Sequence, residues 1–259
     1  MPKITVREMQ EADEYFASTC SHVQESAEID RAAEKRLAWF HEMQQQGLSI
    51  KIAHMSEQPI GMLYLIPIKH SPWGPLGQDL LVIPCLFVMN EAQGDGAGEA
   101  LMQAAEDEAA RQKTKGLVTT AYDHDFWFMP MSFFEAHGFT EADRQGNTVL
   151  MWKNFDPAAQ SPQLLKANYA FTPVPGKVVV DLFWTLFCQT SAIEAQRVRE
   201  VVTEFGDDVV LREYQAEARE TLLNYQIPRA IYVNGKEIGW GYEAPKEGIR
   251  TAIERALDR

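Results

Sequence analysis

A glycine-rich turn at Asn90–Glu99, Asn-Glu-Ala-Gln-Gly-Asp-Gly-Ala-Gly-Glu, constrains this chain more than any other stretch. It follows the apolar run Leu80–Met89, which reads as a strand, and precedes the alanine-rich run Ala97–Gln112, which reads as a helix. Glycines let the backbone take φ > 0 and approach a ligand closely. The first N–H groups of a helix have no internal acceptors, and the helix dipole adds partial positive charge there. Such a turn suits an anion. No Gly-Lys-Ser/Thr follows, so it is not a Walker loop. Gly94-Asp-Gly96-Ala-Gly98 lacks the spacing of a dinucleotide fingerprint. What it contains is Gln93-x-x-Gly96-x-Gly98. Taken alone, a plain strand-to-helix turn is the alternative.

With its neighbours the turn resembles the GNAT (Gcn5-related) N-acetyltransferase family. There Gln/Arg-x-x-Gly-x-Gly/Ala follows the fourth strand and wraps the pyrophosphate of acetyl-CoA. The matching stretch runs from Leu86-Phe-Val-Met through Gln93, Gly96 and Gly98 to Leu101. A second match, Phe133-Phe-Glu-Ala-His-Gly-Phe139, resembles the family's Phe-Tyr-Glu-Lys-x-Gly-Phe. The resemblance implies an α/β (α+β) fold over residues 1–155, a mixed sheet with splayed central strands. It implies acetyl-CoA as co-substrate and no metal. The pantetheine arm would lie on the backbone of Leu86, Phe87 and Val88. The pyrophosphate would lie on Gln93, Gly94, Asp95, Gly96, Ala97 and Gly98, with Phe134 beside the cofactor.

The family's usual general acid is the Tyr of Phe-Tyr-Glu. Here that position is Phe134, which has no proton to give. Tyr122 and His124 are nearby groups that could substitute, against ordinary structural roles for both. Asp79 or a strand-borne water could accept the amine proton. His137 reads as a capping or exposed residue, and Cys85 as a small buried apolar side chain.

The elements around these motifs follow from periodicity and turn signals. Ile4–Arg7 reads as a strand, Glu11–Cys20 and Ala32–Gln46 as helices, with Gly47 as a stop. Ser49–His54 and Ile60–Ile68 read as strands around the hairpin signal Ser56-Glu-Gln-Pro59. Pro84 within Leu80–Met89 cannot donate to a ladder and predicts a bulge or an edge. Leu117–Tyr122 is a strand, Pro130–His137 a short helix and Thr148–Lys153 the closing strand. The resemblance to the acetyltransferase family implies substrate contacts from Cys20–Arg31, His70–Gly77 and Asp123–Phe128.

Residues 156–176 are proline-rich and read as a linker that partly packs. The pattern then restarts over 177–259: strand Val178–Phe183, helix Ser191–Phe205, strand Val209–Tyr214, helix Ala216–Tyr225. Strands Ala230–Val233 and Ile238–Trp240 flank the hairpin signal Asn234-Gly235, and Pro245 opens a last helix. This β-α-β-α-β-β-α order is that of a thioredoxin fold. Phe183-Trp-Thr-Leu-Phe-Cys188-Gln-Thr-Ser191 is similar to the thioredoxin active-site stretch. Ile227-Pro228 sits where that fold places a cis-proline. The fusion resembles acetyltransferases with a YoaP-like C-terminal region. Cys188 precedes a helix, which lowers a thiol's pKa, but Ser191 stands where the resolving cysteine would be. Cys188 is therefore a tentative catalytic residue of the second domain, with a monothiol or a binding-only role in view.

Composition bounds the partners. The net charge of −13, of which the first 155 residues carry −10, argues against nucleic acid. An acidic surface suits a cationic amine, or simple solubility. No apolar run reaches the ~18 residues of a membrane span, and the N-terminus lacks a signal-peptide pattern. Cys20, Cys85 and Cys188 are too far apart for a zinc site or a disulfide framework, so a cytoplasmic home is expected. The reading is an acetyl-CoA-dependent N-acetyltransferase acting on a small-molecule or peptide primary amine by direct attack on the thioester. A homodimer is a candidate assembly. The alternatives are a monothiol redox or binding protein using Cys188, and a non-catalytic acyl-CoA sensor.

Overall fold

The structure, a computed structural model, describes residues 3–124, 128–240 and 242–258. These fall into two units, Met1–Glu25 with Phe40–Leu165, and Ser26–Trp39 with Lys166–Arg259.

The first unit starts with strand β1 (Ile4–Glu8), a 3-10 turn at Glu11–Asp13 and helix α1 (Glu14–Ser18). The expected helix Glu11–Cys20 is thus shorter and begins as a tighter turn. Strands β2 (Ser49–Met55) and β3 (Gln58–Pro67) form a hairpin through Ser56 and Glu57, both left-handed (φ 51° and 68°). That is the twist a two-residue hairpin demands. The run Leu80–Met89, expected as one strand, is two: β4 (Leu81–Val82) and β5 (Leu86–Val88). The break falls on Ile83-Pro84-Cys85, where Pro84 brings no N–H to a ladder. β4 pairs in parallel with β6 (Gly116–Tyr122), Leu81 opposite Leu117 and Val82 opposite Val118. Among the described residues β5 pairs with β3 alone, Met62 opposite Phe87. β6 and β5 therefore part beyond Thr119, whose hydroxyl donates to the Ile83 carbonyl at 2.7 Å.

Helix α3 (Ala97–Gln112) buries Ala97, Leu101, Met102, Ala105 and Ala109 against Leu63, Leu65 and Leu117. This is one helical stripe, and its small residues let the helix lie close to the sheet. Lys113 closes it in the left-handed region (φ 56°). After α4 (Met131–Ala136) come β7 (Thr140–Gln145) and β8 (Thr148–Asn154), giving the sheet order β1-β2-β3-β4-β6-β8-β7. β7 has no counterpart in the sequence reading. As an edge strand, Thr-Glu-Ala-Asp-Arg-Gln, it carries no apolar alternation to find.

Helix α2 (Ala27–Gln44) starts five residues before its expected N-terminus. Ser26 caps it, its hydroxyl accepting the Ile29 N–H at 3.2 Å. Residues 27–39 of this helix belong to the second unit. There Arg197 pairs with Glu28 at 2.6 Å, and Ala32 packs with Ala192 and Ile193. The second unit continues with β9 (Val178–Trp184), α5 (Gln189–Thr203), β10 (Val209–Gln215) and α6 (Arg219–Tyr225). β11 (Ala230–Val233), β12 (Lys236–Ile238) and α7 (Lys246–Leu257) complete it. The sheet order is β10-β9-β11-β12, with β9 parallel to β10 and antiparallel to β11. Val178, Val180 and Leu182 of β9 face one core with Val198, Val201 and Ile253. Phe183 faces another with Tyr169, Tyr214, Tyr225 and Tyr232. The expected linker is divided. Leu164 packs with Ile68, Leu80 and Leu150 of the first unit, and Tyr169 is bound into the second.

Two buried carboxylates show what each unit depends on. In the first, Glu108 of α3 accepts hydrogen bonds from Lys51 at 3.0 Å, from Gln112 at 2.7 Å and from Arg111. Burial alone would raise this carboxyl, but those bonds outweigh it and hold it down at about 2. In the second, Asp181 accepts from Tyr169 Oη at 2.7 Å and Tyr214 Oη at 3.2 Å. Burial, and the Asp181 carboxylate beside them, push both phenols up, that of Tyr214 to about 12.

Because the Glu108 carboxyl is depressed in the fold, its stabilisation is present above the ordinary glutamate value. It is lost as pH falls from about 4.5 toward 2. Glu108→Gln should lower the urea midpoint by an amount equivalent to about 1.5–3 kcal/mol and flatten the acid limb of stability against pH. Tyr169→Phe leaves Asp181 with its longer tyrosine bond and the Arg212 guanidinium at 3.9 Å. It should cost about 1–3 kcal/mol in the same measurement, more than Tyr214→Phe.

Candidate functional site

The parting of β5 from β6 opens a cleft of about 460 Å³ in the first unit. One wall is the β5 backbone at Leu86, Phe87 and Val88. The end wall is the turn, with Gly94, Gly96 and Gly98. The remaining wall is the return segment Phe128–Pro130 and α4, through Phe133, Phe134 and His137.

The turn is shaped by its glycines. After a short 3-10 turn at Asn90–Ala92, Gly94 and Gly96 take φ of 87° and 90°. A Cβ there would meet nothing within 4 Å, so backbone conformation, not crowding, selects glycine at both. Gly98 differs: a Cβ would come within 3.1 Å of the Phe133 ring. Gln93 braces the turn, its amide donating to the Val88 carbonyl and to Asn90 Oδ1, both at 3.1 Å. The Ala100 N–H bonds the Gly96 carbonyl at 3.0 Å. Among the described residues, the N–H groups from Gly94 to Glu99 meet no backbone acceptor. They form, with the positive end of α3, a set of donors for an anion.

The return segment closes the gap between the strands. The Tyr122 N–H donates to the Met129 carbonyl at 3.0 Å, and Tyr122 bridges to Pro130 in parallel register. Met129, buried and left-handed (φ 47°), brings its thioether to 3.3 Å from the Leu86 N–H. That N–H is the first donor of β5 on the cleft side. A thioether is a weak acceptor, so a carbonyl oxygen placed there would replace it at a gain.

The predicted cofactor residues are largely brought together. Leu86, Phe87, Val88, Gln93, Gly94, Gly96, Gly98 and Phe134 line the cleft. Asp95 is exposed in the turn, and Ala97 is buried in the core beneath it. Phe134 is fully buried and edge-on to Phe133 and Phe139, so it forms the floor. Tyr122 and His124 stack at 5.4 Å with their rings nearly parallel, at the end of β6, and neither is among the lining residues. Part of the loop Asp123–Phe128, at 125–127, lies outside the described residues. Sequence reasoning missed Met129, which no local pattern marks. It also set aside His137, which the four-residue spacing from Phe133 in α4 places on the cleft.

Cys188, in the second unit, caps the N-terminus of α5. Ser191, buried behind it, accepts the Thr185 N–H at 3.0 Å. Arg36 Nε donates to the Phe187 carbonyl at 2.6 Å, and Trp39 meets the Phe187 ring edge-on. Glu217, its carboxyl pushed up by burial, accepts from the Thr185 hydroxyl and from the Leu186 N–H. Among the described residues the cis peptide is Gly74–Pro75. Ile227–Pro228 is trans, against the expectation, and the reversal before β11 is made by left-handed Gln226 (φ 54°).

Among the described residues no group of three or more His, Cys, Asp or Glu side chains is placed to hold a metal, and no helix is long and apolar enough to cross a membrane. Residues 26–141 match the family model of the acetyltransferase (GNAT) domain. No curated protein matches the chain. Among solved structures it is similar to yncA of Salmonella typhimurium with its cofactor acetyl-CoA. The identity is 19%, 61% of this chain and 97% of that chain are covered, and the TM-score is 0.46. It is similar to the PaiA N-acetyltransferase of Thermoplasma acidophilum in complex with coenzyme A at 15% identity, covering 59% and 99%, with a TM-score of 0.42. The ribosomal-protein-alanine N-acetyltransferase of Brucella melitensis is similar at 15% identity, covering 58% and 99%, with a TM-score of 0.43.

The contact between Gly98 and Phe133 sets the width of the cleft at the turn. Gly98→Val should overpack it and cost about 1–3 kcal/mol in urea unfolding. Adding Phe133→Ala should restore part of that loss, so that the two changes are non-additive with a coupling of at least about 0.5 kcal/mol.

Proposed function

We propose that this chain transfers the acetyl group of acetyl-CoA to a primary amine by direct attack on the bound thioester. The observation that carries the reading is the joint lining of one cleft by the Leu86–Val88 backbone and by the unpaired N–H groups of the Gly94–Gly98 turn. An extended strand edge suits the amides of a pantetheine arm, and the turn suits a pyrophosphate. The match of residues 26–141 to the acetyltransferase domain supports the same assignment.

The chemistry assigned to the chain's own groups is modest. The amine nitrogen forms a bond to the acetyl carbon, the carbon–sulfur bond breaks, and the proton lost by nitrogen balances the charge on the leaving thiolate. Positioning two reactants on one rigid sheet supplies much of such a rate. The Leu86 N–H, now facing the Met129 thioether, is the donor we assign to the thioester oxygen. Phe134 supplies no proton; Tyr122, with His124 stacked against it, is assigned proton handling from the end of β6, outside the lining residues. For the second unit we propose a thioredoxin-like fold, supported by its strand order and by Cys188 at the start of α5, in a binding role.

A panel of primary amines incubated with acetyl-CoA should yield acetylated products by mass spectrometry, and a panel without any product would sink the reading. Gly96→Val forces a β-branched residue into φ 90°, at a cost of about 1–2 kcal/mol in backbone strain alone. It should raise the acetyl-CoA Kd at least about tenfold by calorimetry while the second unit keeps its urea midpoint. Unchanged affinity would overturn the placement of the pyrophosphate.

A further inference from the structure

The cleft is lined, among the described residues, by no lysine and no arginine; its ionisable side chains are Glu99 and His137. A coenzyme A molecule brings a pyrophosphate and a 3′-phosphate into a chain whose net charge is −13. Backbone N–H groups and a helix dipole supply about half a positive charge. The one side chain of the cleft that can add a whole charge is His137.

We propose that His137 is a phosphate-binding residue of the coenzyme A site, and that it makes cofactor affinity rise as pH falls through the histidine range. This rests on the acetyl-CoA reading of the same cleft. His137 follows α4, one turn beyond Phe133, whose ring abuts Gly98 in the first turn of α3. The imidazole lies against that ring at 4.4 Å, which keeps it on the cleft side of the helix. Its Nδ1 is 2.7 Å from the Phe133 carbonyl oxygen, which can only accept. Nδ1 therefore carries a proton in both charge states, and Nε2 is the atom that titrates. Neutral, Nε2 presents a lone pair and repels a phosphate oxygen. Protonated, it is a charged donor to one.

Charged groups face this end of the cleft from two elements. Lys153 of β8 donates from Nζ to the His137 carbonyl at 3.0 Å and is itself paired with Glu106 of α3 at 2.7 Å. Glu99, in the first turn of α3, shares the cleft. A phosphate oxygen is bonded by a protonated imidazole and not by a neutral one, so binding above the histidine range takes up a proton, and affinity falls as pH rises through it.

Calorimetric titration of the full chain with coenzyme A and with dephospho-coenzyme A, at pH ~6 and ~8 on either side of the histidine value, tests this. The wild type should bind coenzyme A about tenfold more weakly at the higher pH and take up protons on binding. His137→Asn retains an N–H toward the Phe133 carbonyl but loses the titrating nitrogen. It should bind at the weak level at both values, and His137→Arg should bind tightly at both. If dephospho-coenzyme A loses the pH dependence, the contact is to the 3′-phosphate; if it keeps the dependence, the contact is to the pyrophosphate. Identical pH profiles for wild type and a folded His137→Asn, both binding coenzyme A, would overturn the role of His137 and leave the cofactor site standing. No binding of coenzyme A by the wild type at either pH would overturn the cofactor reading itself.

Discussion

The missing N–H of Pro84 is the constraint on which the first unit turns. A strand that could continue its ladder past Ile83 would keep β6 as a neighbour along its whole length, and the sheet would close. Pro84 ends that pairing, and the chain resumes as β5 on the other side only, against β3. A strand edge inside a sheet is left with donors and acceptors unmet, and burying such groups costs a few kcal/mol each. The chain answers in two ways. The Phe128–Pro130 segment returns to pair with the end of β6, and a thioether rather than a carbonyl meets the Leu86 N–H. The site is therefore a flaw in sheet pairing, filled with a group weak enough to be displaced.

Helix α3 completes the site because it is anchored at its far end. Glu108 joins Lys51 of β2 to Arg111 and Gln112 of the helix itself, and Gln112 also reaches the Gly47 carbonyl at 3.1 Å. With that end fixed and the Ala105 and Ala109 stripe against the sheet, the first turn has one place to go, at the end of β5. Its free N–H groups then point at the gap that Pro84 made. An anion bound there would meet the unfavourable net charge of the chain only at a distance, since repulsion from exposed carboxylates is screened over about 8–10 Å, while the dipoles would act within a few ångströms.

What was legible in the sequence was what has a short-range cause. The Gly94–Gly98 turn and the two hairpins at Ser56-Glu57 and Asn234-Gly235 each need φ > 0, and glycine and asparagine advertise it at two of the three. Pro84 announced an interruption, though not that it would divide one strand into two. What was not legible depends on distant partners. β7 is polar because its position is at an edge. Met129 matters only because its loop returns to β6. The early start of α2 was written in Ser26, but the membership of residues 27–39 in the second unit depends on Arg197, Ala192 and Phe187, more than 140 positions away. Pro228 carried a family habit rather than a local cause, and the peptide is trans.

In the second unit the stretch leading to Cys188 is held by its neighbours. Ser191 stands one turn into α5, buried, and spends its oxygen on the Thr185 N–H, holding the loop that leads to Cys188. Glu217 takes the Leu186 N–H and the Thr185 hydroxyl, and Arg36 takes the Phe187 carbonyl. Ser191, Glu217 and Arg36 thus each hold a backbone group of residues 185–187. A thiol–disulfide exchange needs an attacking thiolate and a second sulfur within reach. Here the second position is a hydroxyl with a fixed structural bond, and the loop that would have to move is held from three directions. Cys188 sits at the N-terminus of α5 with the Ser191 hydroxyl, not a second sulfur, behind it.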